Sequence, residues 1–187
     1  MCGRINVSDD PLAQFITDAL GIPFHTKTNT DLRPTDPIDV IRCSANQPEQ
    51  LALNWGYKPH WAKKPLINAQ AETVSVKPTF KNAFYHHRCI VPCTGWYEWK
   101  ADDTGKKQKY LFSDPDNGVV WMAGIFLEGR YLVTLTTKPN GQCEYYHHRM
   151  PLLIKQDHLT SWLSPNVESA GALLSMEYEG KLHISGN

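Results

Sequence analysis

The spacing of apolar residues changes period along the chain, and each change marks an element. Leu12, Phe15, Ile16, Ala19 and Leu20 recur at helical spacing. Ser8-Asp9-Asp10-Pro11 ahead of them offers a capping side chain and a first-turn proline, and Gly21 offers a stop. That stripe reads as core. Residues 23–37, with Pro23, Pro34 and Pro37 among polar side chains, read as a long ordered loop. Leu51, Leu53 and Trp55 then alternate as in a strand, and the polar, irregular residues 56–87 read as loop and short helix.

A β-rich centre follows. Cys89–Pro92 and Thr94–Trp99 have strand character. Asp103-Thr104-Gly105 turns into Lys109–Phe112, and Asp116-Asn117-Gly118 turns into Val119–Phe126. Glu128-Gly129 then separates that strand from Tyr131–Thr137, a hairpin. Pro151–Ile154 is one more short strand. Asp157–Leu163 and Asn166–Met176 are short helices split by Pro165, and Lys181–Ser185 closes the pattern as a strand. With no repeat, low-complexity tract or linker, the prediction is one α+β domain over residues 1–187. Its largely antiparallel sheet curls toward a barrel and is flanked by short helices.

Composition narrows the function classes. The chain has 187 residues, 41% hydrophobic and 20% charged, enough for a substantial core. No apolar run is long enough to span a membrane, and the start lacks the pattern of a secretory signal, so the cytosol is the expected compartment. The formal net charge is zero, which gives no overall basic face for duplex binding. Five cysteines, an odd number at irregular spacing, suit neither a disulfide framework nor a zinc site, and no metal or cofactor is expected.

Candidate chemistry starts at Cys2-Gly3-Arg4. Met1 precedes a small residue, the context in which an initiator methionine is removed, and the mature chain would begin with cysteine. An N-terminal cysteine carries an amine with a pKa of about 7.7–8.0 beside a thiol of about 8.5. An aldehyde can form a Schiff base with that amine, and the thiol can close a thiazolidine ring. The plain alternative is an accident of the second codon. Four further places carry candidate groups. Asn68 and Glu72 stand in a loop region among short apolar residues. Glu98 stands among Trp96, Tyr97 and Trp99, surroundings that raise a carboxyl pKa and suit proton transfer. His147 and His148 stand beside Arg149, and Thr136-Thr137 ends the preceding strand. Each has a structural alternative: a turn-forming Asn, a solvent-facing Glu, a surface His pair.

Taken in order, these pieces resemble the SOS-response-associated peptidase family, whose members crosslink covalently to abasic sites in single-stranded DNA. The residues that carry the resemblance are Met1-Cys2-Gly3-Arg4, Trp55-Gly56, Leu66-Ile67-Asn68-Ala69, Glu72-Thr73, Arg88-Cys89-Ile90-Val91-Pro92, Gly95-Trp96-Tyr97-Glu98-Trp99, Leu135-Thr136-Thr137 and His147-His148-Arg149-Met150-Pro151. The match runs from residue 2 to about residue 163. It implies catalytic roles for Cys2 (the nucleophile), Asn68, Glu98 and His147, with His148 at a variable position. It implies DNA contacts at Arg4, Trp61, Thr136 and Arg149, and as partner single-stranded DNA containing abasic sites, bound by a monomer.

Two departures stand out. Gln70 occupies a position where many relatives carry a phosphate-gripping arginine. Asp31-Leu32-Arg33-Pro34-Thr35 replaces a usual Tyr-Asn-x-Ala-Pro, with Arg33 a candidate to restore one charge. Two rival readings use the same residues: a thiol peptidase acting through Cys2, with removal of Met1 as its mildest form, and a non-covalent binder of modified DNA.

Overall fold

A computed structural model describes residues 2–186. The expected removal of Met1 concerns a residue outside the described residues. In chain order the elements are β1 (Ile5–Val7), α1 (Asp9–Leu20), β2 (Asn29–Leu32), β3 (Pro37–Ser44), β4 (Gln47–Trp55), β5 (Asn68–Gln70), α2 (Ala71–Val74) and α3 (Pro78–His86). They continue with β6 (Arg88–Cys93), β7 (Gly95–Ala101), β8 (Lys107–Ser113), β9 (Val120–Leu127), β10 (Tyr131–Thr137), β11 (Met150–Pro151), α4 (Leu159–Leu163), α5 (Val167–Leu173) and β12 (His183–Gly186).

Two sheets form. The smaller, in the order β12-β8-β7-β1-β2, is antiparallel throughout. The larger runs β11-β10-β4-β3-β6-β9, and β9 pairs again with β10, so β10, β4, β3, β6 and β9 close into a ring. Among the described residues, only the pairings of β10 with β4 and with β5 are parallel there. The mixed α and β content, the mainly antiparallel sheets and the short helices agree with the fold class read from the sequence.

Burial explains why the sheets hold together. β6 is buried along its whole length, as befits a strand between β3 and β9 with α3 and α4 packed near it. Trp55, Trp96 and Trp162 are fully buried, each worth roughly 1.5–3 kcal/mol or more of apolar transfer. Their polar ends differ. The Trp162 indole donates to the Cys89 carbonyl at 2.9 Å and the Trp55 indole to the Ile67 carbonyl at 3.1 Å. The second bond fixes the backbone one residue before Asn68. Gly56, at φ 118°, lets the chain leave β4 there, a conformation open chiefly to glycine.

Local differences from the sequence reading have physical causes. Residues 23–37 are not all loop: β2 lies within them as an edge strand whose residues are mostly exposed, so its alternation carries little hydrophobic signal. β5 likewise lies within the stretch read as loop and helix, three residues whose pairing is supplied by β10. The expected strand Pro151–Ile154 begins one residue earlier as β11, and beyond Pro151 it keeps an isolated bridge at Leu153. Gly21 stops α1 in the left-handed conformation, φ 68°, as its position predicts.

Candidate active site

Four segments that are distant in sequence meet at Cys2. The chain before β1 carries it. Its side chain is buried, 1% exposed, and its thiol points to the Arg4 carbonyl at 3.8 Å. The Asn68 side-chain amide donates to the Cys2 carbonyl at 2.9 Å. The Cys2 carbonyl can only accept, so it takes Asn68 Nδ2, and Oδ1 accepts the Thr134 hydroxyl at 2.5 Å. The parallel register sets Thr134 directly opposite Asn68, so the β5–β10 pairing builds this contact.

β7 supplies Glu98. Ile5 pairs with Trp96, and Glu98 follows two residues later on the same face of the strand. Glu98 is 4% exposed, and burial lifts its carboxyl to about 7. The Cys2 thiol is pushed well above the ordinary thiol range, first by burial, then by the Glu98 carboxylate and by Cys93. Cys2 and Glu98 therefore share one poorly solvated space, in which burial opposes both charges and the Glu98 carboxylate further disfavours the Cys2 thiolate.

The fourth segment is the turn between β10 and β11. The Asn140 side chain accepts the Gln142 N–H at 3.2 Å and the Cys143 N–H at 3.1 Å, which winds the chain tightly. Tyr146 lies edge-on to Phe112, 5.2 Å between centroids, and Phe112 stacks on Trp96 at 4.9 Å. These rings dock the turn on the Glu98 face of the smaller sheet. The Cys143 thiol is raised to about 12 by burial and then by Glu98, and the Cys143 carbonyl accepts the His147 N–H at 3.1 Å. His147 is half-buried. Burial draws its pKa below the ordinary histidine value, which leaves a neutral ring at pH 7. Nδ1 lies 3.1 Å from both the Arg149 N–H and the Arg149 carbonyl, so the Arg149 backbone holds the ring in either tautomer. His148 is exposed and stacks on His147 at 4.3 Å.

The residues expected to touch DNA lie around this cluster in different states. Arg149 forms a two-point ion pair with Glu72, 2.7 and 2.8 Å, and donates to the Thr136 carbonyl at 2.6 Å. Arg4 pairs with Asp31 at 3.1 Å. Trp61 stands apart, 60% exposed on a loop closed by mutual Tyr57–Leu66 hydrogen bonds. Thr136 is only 1% exposed, with its hydroxyl turned to the Ala69 carbonyl, so its visible role is to hold Arg149. Sequence reasoning missed Thr134, Asp31 and Cys143. Thr134 alternates with Thr136 on one face of β10, a signal that was available. Asp31 stood in a segment marked as a departure but without a role, and Cys143 gave no signal until the fold brought it in.

The chain is similar to known proteins. A family model described as SOS response associated peptidase (SRAP) matches residues 1–184. Abasic site processing protein YoaM of Bacillus subtilis is 31% identical over 192 residues, covering 94% of this chain and 85% of its own. Abasic site processing protein YedK of Escherichia coli is 32% identical over 188 residues, covering 92% and 83%. A phage-related protein of Bordetella bronchiseptica has the same fold, with a TM-score of 0.82 at 24% identity over 100% of this chain and 94% of that one. A match that reaches from the first residue to Ile184 takes in Cys2, Asn68, Glu98 and His147 together, and by it the chain belongs to the SOS response associated peptidase family.

Proposed function

We propose that this protein captures abasic sites in single-stranded DNA covalently, through the amine and thiol of Cys2 once Met1 is removed. The observation that carries the reading is the enclosure of Cys2, with its carbonyl held by Asn68 at 2.9 Å and its thiol buried beside Glu98. The names of YoaM and YedK, abasic site processing proteins, support the substrate.

The chemistry balances without a redox partner. A ring-opened abasic sugar presents an aldehyde at C1′. The Cys2 amine adds to that carbon and water leaves, giving an imine. The thiol sulfur then bonds to the same carbon while its proton passes to nitrogen, closing the thiazolidine. Overall, one water is lost. Glu98, with a carboxyl near 7, takes a proton from the ammonium and delivers one to the departing hydroxyl. His147, neutral at pH 7, serves the sugar oxygen during ring opening. Asn68 positions the Cys2 backbone. Arg4 and Arg149 reach phosphates, and Trp61 offers a stacking face for a base. One copy of the chain, acting in the cytosol, carries every named group.

Peptide hydrolysis by the same residues asks for a Cys2 thiolate, which burial and the Glu98 charge both oppose. The deciding experiment is the intact mass of the protein after mixing with an oligonucleotide that carries one abasic site. The expected species is protein lacking Met1 plus DNA minus one water, formed by wild type and not by Cys2→Ala. Active protein that retains Met1 sinks the mechanism. Cleavage of a peptide panel with no DNA adduct favours the peptidase, and reversible, salt-sensitive binding that ignores loss of the thiol favours a plain binder.

A further inference from the structure

Three cations from three parts of the chain converge on one carboxylate. Arg4, just before β1, places Nε 3.1 Å from Asp31 Oδ1. Lys109, on β8, places Nζ 3.5 Å from the same oxygen, and Arg33, just after β2, places Nη2 2.5 Å from Oδ2. Strand pairing makes the convergence. The Tyr97 N–H donates to the Arg4 carbonyl at 3.0 Å, Trp99 pairs with Lys109, and Ile5 pairs with Leu32. The Lys109 ammonium also sits 3.7 Å from the Tyr97 ring centroid, which fixes its direction.

Stability does not account for this arrangement. The Asp31 side chain is 38% exposed and Arg33 62%, and exposed ion pairs contribute little. Three cations face Asp31 and, on the Arg33 side, Asp36, whose carboxylate accepts the Arg33 backbone N–H at 2.9 Å, so one positive charge remains in surplus. Such a surplus, open to solvent and two residues from Cys2, matches the needs of a phosphodiester, which brings one negative charge and two free oxygens.

We infer that Arg4, Arg33 and Lys109 form a subsite for a backbone phosphate of the bound strand, and that Asp31 is its built-in competitor, weakening the hold on undamaged single strands. The inference deepens the nucleic-acid reading proposed above and rests on it. It adds Arg33 and Lys109 as phosphate contacts and gives Asp31 a role in selectivity. With non-covalent grip kept weak, retention of the protein depends on the covalent step at an abasic site.

The test is equilibrium binding of a fluorescent, undamaged oligothymidylate to the full chain over a range of salt. Asp31→Asn is expected to bind about fivefold tighter at low salt, with a steeper fall in log K against log salt. Asp18→Asn, which removes the same charge from the exposed face of α1, is the control and should shift binding less than twofold. Lys109→Gln and Arg33→Gln should each flatten the salt slope, by up to about 0.7 if the contact is fully formed. Equal effects of Asp31→Asn and Asp18→Asn overturn the inference, as do unchanged slopes in both cation variants or no binding by any of them. The intact-mass assay keeps the two readings distinct. Adduct formation with no Asp31 effect removes the subsite alone, and the expected binding shifts with no adduct remove covalent capture alone.

Discussion

The amide of Asn68 holds the carbonyl of Cys2 at 2.9 Å, across 66 residues of sequence. The bond restrains the residue that must present both an amine and a thiol to one carbon. Asn68→Ala removes the donor and leaves a carbonyl in a poorly solvated place without its partner, at a stability cost of about 1 kcal/mol. Adduct formation should slow by about tenfold or more, because small misplacements of reacting atoms are expensive. Asn68→Asp should do no better, since a carboxylate cannot donate to that carbonyl. Stopped mixing with an abasic oligonucleotide, read by gel, measures the rate, and thermal melting measures the stability.

Glu98 gives a pH signature with a definite sign. Its carboxyl rises from 4.5 to about 7 on folding, chiefly through burial, so the folded state binds the proton more tightly than the unfolded one. Stability from this group is therefore intact below pH 4.5 and declines as pH rises toward about 7, by up to on the order of 3 kcal/mol. Glu98→Gln should melt higher than wild type at pH 8, and the gap should close near pH 4.5. The same variant should lose the rise in adduct rate through neutral pH while binding undamaged strands as before. Melting curves that stay parallel from pH 4.5 to 8 would show a carboxyl with ordinary titration.

His147 and His148 separate by environment. His147 is half-buried with its Nδ1 on the Arg149 backbone, whereas His148 stacks on it from the solvent side. His147→Ala should slow adduct formation by about 10²-fold, the usual contribution of a positioned acid–base group. His148→Ala should leave the rate at pH 7 nearly unchanged. Its proton charge helps to depress His147, so its loss should move the acid limb of the pH profile upward. Equal losses for both variants would assign the pair to strand binding.

How far these features were legible in the sequence depends on where each signal lives. The β-rich centre was clear because Val120–Leu127 and Tyr131–Thr137 are apolar runs joined by Glu128-Gly129, which have positive φ in the structure. β2 and β5 were not, because a strand of three or four residues is defined by its neighbours and not by its own residues. Cys2, Asn68, Glu98 and His147 were named from the order of motifs, while the Thr134 bond that orients Asn68 depends on a parallel register no local pattern encodes. The Asp31 cluster was half visible. Arg33 stood out as a replacement charge, but its convergence with Arg4 and Lys109 required three strands to pair.

Arg149 is engaged by Glu72 at two points, and Glu72 is held below the usual carboxylate range by that hydrogen-bonded arginine. A depressed carboxyl supports the fold above its ordinary value of 4.5 and loses that support as the solution becomes more acidic. The pair is substantially exposed on the Glu72 side, so the effect on melting should be small. Glu72→Gln should free Arg149 for phosphate and tighten binding of undamaged single strands by a few-fold at low salt. Weaker binding would mean that Glu72 serves to aim Arg149, and that the ion pair survives in the complex.

The order of bond formation at Cys2 is the last point open to test. Its thiol is raised well above the ordinary range, first by burial and then by Glu98, so the neutral thiol dominates at pH 7. An α-amine, whose ordinary value of about 7.7–8.0 lies below the thiol's, is the better nucleophile where the thiol is held neutral. The amine should therefore react first, and the thiol should close the ring on an imine already formed. Cys2→Ala keeps the amine and should still form that imine, seen as an adduct only after borohydride reduction. A chain that begins at Met1 keeps the thiol but has no free amine on Cys2, so it cannot close the thiazolidine, and any imine on its Met1 amine should be seen only after reduction. If the Cys2→Ala protein shows no reducible adduct while wild type forms its thiazolidine at the usual rate, the amine does not react alone, the thiol attacks first and the proposed order is reversed.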